Sequence, residues 1–99
     1  MVLCAGWEDT FSLEDATFAG ALIETLFAGS NYSIPFDSSV MALELWKRAK
    51  ENPRDFLQKG THYERLKKSG AEIDFEYCIK LNTASVLPVM KGTHLKNIL

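Results

Sequence analysis

Ninety-nine residues suffice for one small domain and not for two. With 46% hydrophobic residues, 24% charged residues and a net charge of -2, the composition excludes a disordered chain and argues against a nucleic-acid binder. All eleven Lys and Arg lie from Lys47 onward on segments that read as amphipathic helices, so solvated helix faces account for the bias. No basic-then-apolar leader opens the chain and no apolar run approaches a membrane span, which predicts a soluble, cytoplasmic protein without membrane contact. Cys4 and Cys78 sit in distant apolar runs with no metal-ligand spacing to His62 or His94, and buried free thiols are expected.

The chain is organised around its first sixteen residues. Val2, Leu3 and Cys4 form a short apolar run closed by Ala5 and Gly6, too short for a helix and suited to a strand buried on both faces. Trp7 then falls in a polar crossing, where roofing the adjacent helix is its simplest use. Ser12 stands three residues before Asp15, close to a capping box, and predicts a helix over 13–28 with Gly29 as its stop. At 100° per residue, Ala16, Phe18, Ala19, Leu22, Ile23, Leu26 and Phe27 fill a wide apolar arc expected to be largely buried. Asp15 falls inside that arc and Glu14 just outside it. An acid aimed inward at a strand end is either a satisfied cap or part of a site, and the spacing leaves both readings open.

Residues 30–36 read as loop through Asn31, Ser33 and Pro35, with Tyr32 or Phe36 exposed. Asp37 predicts the N-cap of a helix over 38–51 with a narrow stripe of Ala42, Leu45, Trp46 and Ala49, and with Glu44, Lys47, Arg48 and Lys50 in water. Asn52-Pro53 restarts the chain as a short helix to Lys59, because Asn caps and Pro suits the first helical position. Thr61 and Glu64 have full capping-box spacing, and Gly70 closes the helix they open. His62 in its first turn is an ordinary solvated position.

Residues 71–81 satisfy both strand alternation and helical spacing. Helix is the preferred reading, since Glu72, Asp74 and Glu76 put acid where the helix dipole favours it. Residues 86–90 read as a strand, with Pro88 arguing for an edge or bulge, and Lys91-Gly92 turns it back through Thr93 to Leu95 as a hairpin. The fold class is α/β, a predominantly helical chain with one N-terminal buried strand and a C-terminal β-hairpin. A lone N-terminal strand has no sequence neighbour to pair with, so the chain reads as a piece of a larger fold.

At Leu3-Cys4-Ala5-Gly6, Phe11-Ser12-Leu13-Glu14-Asp15 and Ala19-Gly20, the sequence resembles the 2-phosphosulfolactate phosphatases. The resemblance continues in order through Ala42-Leu43-Glu44-Leu45-Trp46, His62 with Leu66 and Gly70, Asp74 with Cys78, and Val86-Leu87-Pro88-Val89. It implies that residues 1–99 form one domain corresponding to the C-terminal part of a family member, within a larger α/β/α layered fold.

The implied activity is magnesium-dependent hydrolysis of 2-phosphosulfolactate to sulfolactate, in the route to coenzyme M. On the same resemblance, Glu14 and Asp15 hold magnesium or act as acid and base, Gly6 and Ser12 meet the anionic ester through backbone and cap geometry, and His62 contacts substrate. Carboxylates suit the ion, which takes oxygen ligands and bridges them to a substrate phosphate. A multiply anionic substrate also needs cations, which this stretch does not hold. The fragment is therefore expected to be inactive alone. Asp9 stands where the family often has Gly, Phe18 where it has Cys, and Tyr63 where Gly follows the His, all departures that bear on substrate fit. An alternative of another class is a small non-enzymatic interaction domain that adds its exposed first strand to a partner. That partner would be a second copy, giving a homo-oligomer, or a complementing N-terminal chain.

Overall fold

Ser12 caps the first helix as its position predicts. Its backbone is extended, and its Oγ accepts from the Asp15 N–H at 3.4 Å. The computed structural model describes residues 1–29, 31–34 and 36–99, and helix α1 (Leu13–Phe27) follows that cap. Helix α2 (Asp37–Ala49) returns beside it. Three shorter helices follow, α3 (Pro53–Leu57), α4 (Thr61–Ser69) and α5 (Glu72–Cys78), then strands β1 (Pro88–Lys91) and β2 (His94–Asn97). The strands pair antiparallel from Pro88 opposite Asn97 to Lys91 opposite His94, with Gly92 at φ 62° in the turn. Pro88 opens β1 and spoils no ladder, because both strands of a two-stranded hairpin are edges.

Local chemistry accounts for the helix boundaries. Asn52 caps α3 by accepting from the Asp55 N–H at 3.2 Å, with Pro53 in the first turn. Gly70 ends α4 in the left-handed region at φ 73°. Two caps differ from expectation. Phe36 precedes α2, so Asp37 lies in the first turn rather than at the cap. Thr61 lies inside α4 and forms no capping box; its Oγ1 accepts instead from Arg65 Nη1 at 3.3 Å. Of the loop expected over 30–36, Ser30 and Pro35 lie outside the described residues, while Tyr32 and Phe36 are both exposed.

The core is a seam of small side chains between α1 and α2. Ala16, Thr17, Ala19 and Gly20 are buried on α1, and Ala42 and Ala49 on α2. Gly20 lets the helix axes approach so closely that a Cβ there would overlap the Ala42 carbonyl oxygen and stand 2.8 Å from Trp46 Cβ. At the far end of α1, Glu24 accepts from Trp46 Nε1 at 2.6 Å and from Lys50 Nζ at 2.7 Å. These two bonds, the Lys50 one foremost, hold the Glu24 carboxyl below the ordinary carboxylate range. A second, smaller contact joins α4 to α5, where Tyr63 meets the buried Phe75 ring edge to face at 4.8 Å.

Three expectations are corrected by this packing. The N-terminal strand is absent: residues 1–5 are exposed and pair with nothing among the described residues, and Leu3 is 86% exposed. Among the described residues the sheet is the hairpin, whose two strands pair with each other. The wide apolar arc of α1 is not largely buried either. Close helix approach is made by its small residues, leaving Phe18 and Leu26 outside the seam at 66% and 45% exposure. Cys4 and Cys78 are free thiols but exposed.

The surface reflects this open construction. The accessible area is 7887 Å², whereas a compact monomer of 11.1 kDa exposes roughly 5,700 Å² on the usual mass scaling. The radius of gyration, 14.9 Å, likewise exceeds the ~13 Å of a typical domain of this length.

Candidate functional site

The turn between the N-terminal segment and α1 is shaped by backbone restrictions. Trp7 and Thr10 exchange two backbone hydrogen bonds, at 3.1 and 2.9 Å, across Glu8 and Asp9, both of which adopt positive φ (47° and 59°). Gly6 precedes them at φ 69°, and a Cβ there would stand 2.5 Å from the Thr10 carbonyl oxygen, so only glycine fits. The Asp15 carboxylate then ties this turn to the start of α1, accepting from the Gly6 N–H at 2.8 Å. Asp15 is thus both the residue whose N–H is capped and the acceptor that fixes the loop, a charge-assisted contact of the stronger kind.

Helix α4 meets the same corner. Gly60, just before it, lies against Leu13 at the beginning of α1, where a Cβ would touch Leu13 Cδ2 at 3.4 Å. That approach brings His62 Nδ1 to 3.9 Å from Glu14 Oε1. The same nitrogen faces Arg65 Nη2 at 3.4 Å. Guanidinium only donates, so the Arg65 contact is a hydrogen bond when Nδ1 is unprotonated, and the Glu14 contact is an ion pair only when both ring nitrogens carry protons. Arg65 also lies over the Trp7 ring, 4.4 Å from its centroid, in a cation–π arrangement.

Beside this polar corner opens a cleft of about 600 Å³, lined by the N-terminal segment, by Glu14, Asp15 and Phe18 of α1, by His62, Tyr63 and Leu66 of α4, and by Asp74, Phe75 and Cys78 of α5. Its walls are largely apolar, with the carboxylates and imidazole converging at one part. This is a usual composition for a small-molecule site. Gly6, Ser12, Glu14, Asp15 and His62, singled out from the sequence, therefore occupy one corner of the fold. Ser12 is buried at the cap and reaches the corner only through Asp15. Among the described residues, no three His, Cys, Asp or Glu side chains are grouped to hold a metal ion. The oxygen donors available at the corner are the carboxylates of Glu14 and Asp15.

Sequence reasoning missed Arg65. It belongs to α4, far along the chain from the turn that precedes α1. The one local signal was its spacing, one helical turn after Thr61 and His62, which places all three on one face.

A tight glycine turn leading into a capped helix thus sets a carboxylate pair and an imidazole beside a largely apolar cleft, a composition common to small-molecule sites. The sequence profile of the 2-phosphosulpholactate phosphatase family matches residues 1–93, and the chain belongs to that family. A protein of Gloeobacter violaceus named probable 2-phosphosulfolactate phosphatase is 38% identical over 88% of this chain and 35% of its own length. Proteins of the same name from Synechococcus sp. WH7803 and Symbiobacterium thermophilum are 39% and 34% identical over 85% and 89% of this chain. The chain spans little more than a third of these relatives' length, 34% and 38% for the latter two. No solved structure matches it. Among the described residues no helix is long and apolar enough to cross a membrane.

Proposed function

We propose that this chain supplies the carboxylate side of a magnesium-dependent phosphatase site that hydrolyses 2-phosphosulfolactate to sulfolactate and phosphate, in the route to coenzyme M. The observation that carries this reading is that Glu14, Asp15 and His62 line one cleft, with Gly6 tied to Asp15, in a member of this family. Magnesium commonly uses only one or two carboxylates, completing its shell with waters and substrate phosphate, and the donor set here is of that kind. Glu14 and Asp15 would hold it. Bound there, the ion would neutralise charge on the phosphate oxygens and activate a water.

The chain's own groups do the rest of the work at this corner. Asp15 keeps the Gly6 turn against α1, and because the Gly6 N–H is committed to Asp15 and the Asp15 N–H to Ser12, neither is free to meet the ester as the resemblance implied for Gly6. His62, set beside Glu14 and Arg65, would in its doubly protonated form be the group able to give a proton to the departing alkoxide oxygen. A site built from one carboxylate pair, one imidazole and one guanidinium lacks the full set of positioned charges that phosphoryl transfer requires, so the 99-residue chain is inactive by itself.

Phosphate release from 2-phosphosulfolactate, measured with magnesium and with chelator, tests both halves. The chain alone should give no rate. A chimera in which residues 1–93 replace the matching segment of the Gloeobacter violaceus relative should give a magnesium-dependent rate that falls roughly 100-fold or more in Glu14→Gln and in Asp15→Asn. Undiminished rates in both variants would remove the reading.

The exposed residues 1–5 favour a second reading, in which the chain is an interaction domain that adds this segment to the sheet of a partner. Size exclusion decides part of it: a monodisperse monomer removes self-pairing, and a dimer that dissociates on Leu3→Asp supports it.

A further inference from the structure

The seam with α2 uses the small residues of α1 and leaves a second line of side chains on that helix uncovered. Phe18, Ala21, Leu22 and Thr25, together with Leu81 and Asn82 from the segment after α5, line a shallow groove of about 240 Å³ along α1. Phe18, Thr25 and Leu81 are exposed, and Ala21 and Leu22 are half-buried. The Thr25 hydroxyl donates to the Ala21 carbonyl oxygen at 2.9 Å, so what this residue offers a neighbour is its methyl group. None of these side chains is charged. Spacings of three, one and three residues put Phe18, Ala21, Leu22 and Thr25 on one face, the kind of seam by which a helix packs lengthwise on another.

We propose that this face of α1 is a self-association surface whose occupant is α1 of a second copy of the chain, packed antiparallel across a two-fold axis. Size alternation along the line carries the choice of partner. With the axis between Ala21 and Leu22, Phe18 of each copy meets the smaller Thr25 of the other, and Leu22 meets Ala21, so every large side chain faces a small one. Parallel packing would set Phe18 against Phe18 and Thr25 against Thr25. It would also bring together the acidic first turns, Glu14 and Asp15 of both copies, which the antiparallel arrangement holds apart by nearly the length of the helix, ~20 Å. The area suffices. The accessible surface exceeds that of a compact monomer by roughly 2,200 Å², and a stable interface takes about 800 Å² from each partner. Neither the phosphatase reading nor strand addition by residues 1–5 is needed for this contact.

Sedimentation velocity of the 99-residue chain across the micromolar range tests this contact, and should show a reversible dimer of twice 11.1 kDa. Phe18→Glu and Thr25→Lys each put a charge on the seam at an exposed position. Each should leave the helical circular dichroism unchanged and weaken the dimer about tenfold or more. In the double variant the introduced carboxylate faces the second copy's introduced ammonium, and most of the affinity should return. An equal mixture of Phe18→Glu and Phe18→Lys chains should stay monomeric, because position 18 does not face itself. Leu3→Asp should leave the dimer intact, which separates this contact from strand addition by residues 1–5. A parent chain that remains monomeric throughout the range overturns the proposal. So does a dimer indifferent to both single variants, a double variant no tighter than the singles, a heterodimer from the position-18 mixture, or a dimer lost in Leu3→Asp alone.

Discussion

Gly20→Ala is the sharpest probe of how this fold is held, because two opposing effects act at the same atom. On helix propensity alone, replacing an interior glycine by alanine stabilises a helix by about 1 kcal/mol. The added methyl, however, would overlap the Ala42 carbonyl oxygen and stand 2.6 Å from Ala42 C and 2.8 Å from Trp46 Cβ. The first two of these neighbours are backbone, which cannot rotate away. Helix α2 must therefore move off α1 along the seam of buried small residues, and overpacking of this kind costs roughly 1–3 kcal/mol. Because the clash is with backbone, the cost falls at the upper end of that range, and the net expectation is a loss of about 2 kcal/mol and a melting temperature lower by roughly 8–16 °C for a domain of this size. Thermal melts followed by far-UV circular dichroism read the effect, with Gly29→Ala as control, since nothing lies within 4 Å of a Cβ there. A Gly20→Ala protein as stable as the control, or more so, would refute the claim that close approach of α1 and α2 organises the core.

Further outcomes follow from particular contacts. The folded-state carboxyl of Glu24 is depressed by Lys50 and Trp46, so its contribution is fully present above the ordinary carboxylate value and is lost as pH falls through the lower folded value. Melts across the acid range should therefore lose stability less steeply in Glu24→Gln than in the parent chain. Gly70→Ala should destabilise by about 1 kcal/mol through its left-handed backbone alone, there being no neighbour for the methyl to meet, and a urea titration at unchanged m-value would show it. Asp15→Ala removes the acceptor of the Gly6 N–H, and hydrogen exchange at Gly6 should accelerate about tenfold or more, a loss of the size expected for one charge-assisted bond. Unchanged protection there would mean that Asp15 does not hold the turn.

Boundaries set by nearest neighbours were legible from residue order. Ser12, Asn52-Pro53, Gly70 and the turn at Gly92 act within one helical or hairpin turn, and each does in the structure what its chemistry predicts. The helix of Glu72–Cys78, ambiguous by period, was separated from a strand by its acidic first turn. The Thr61 capping box failed because a side chain four residues on competes for the same hydroxyl, a contact that spacing alone does not rank against capping. Gly6, Ser12, Glu14 and Asp15 were recognisable together because they lie within ten residues of one another along the chain.

Tertiary structure decided what depends on distance along the chain. A strand exists only where a second edge meets it, and residues 1–5 find none among the described residues, however strand-like their composition. Which part of α1 is buried was settled by the approach of α2, which selects the small residues and leaves Phe18 outside. The placing of His62 beside Glu14, and of Arg65 over Trp7, depends on α4 folding back against the start of α1 near Gly60 and Leu13. Local propensity acts over a few residues, whereas charge and burial act through space. The helices and turns could therefore be read from the order of the amino acids, and the meeting of His62 with Glu14 could not.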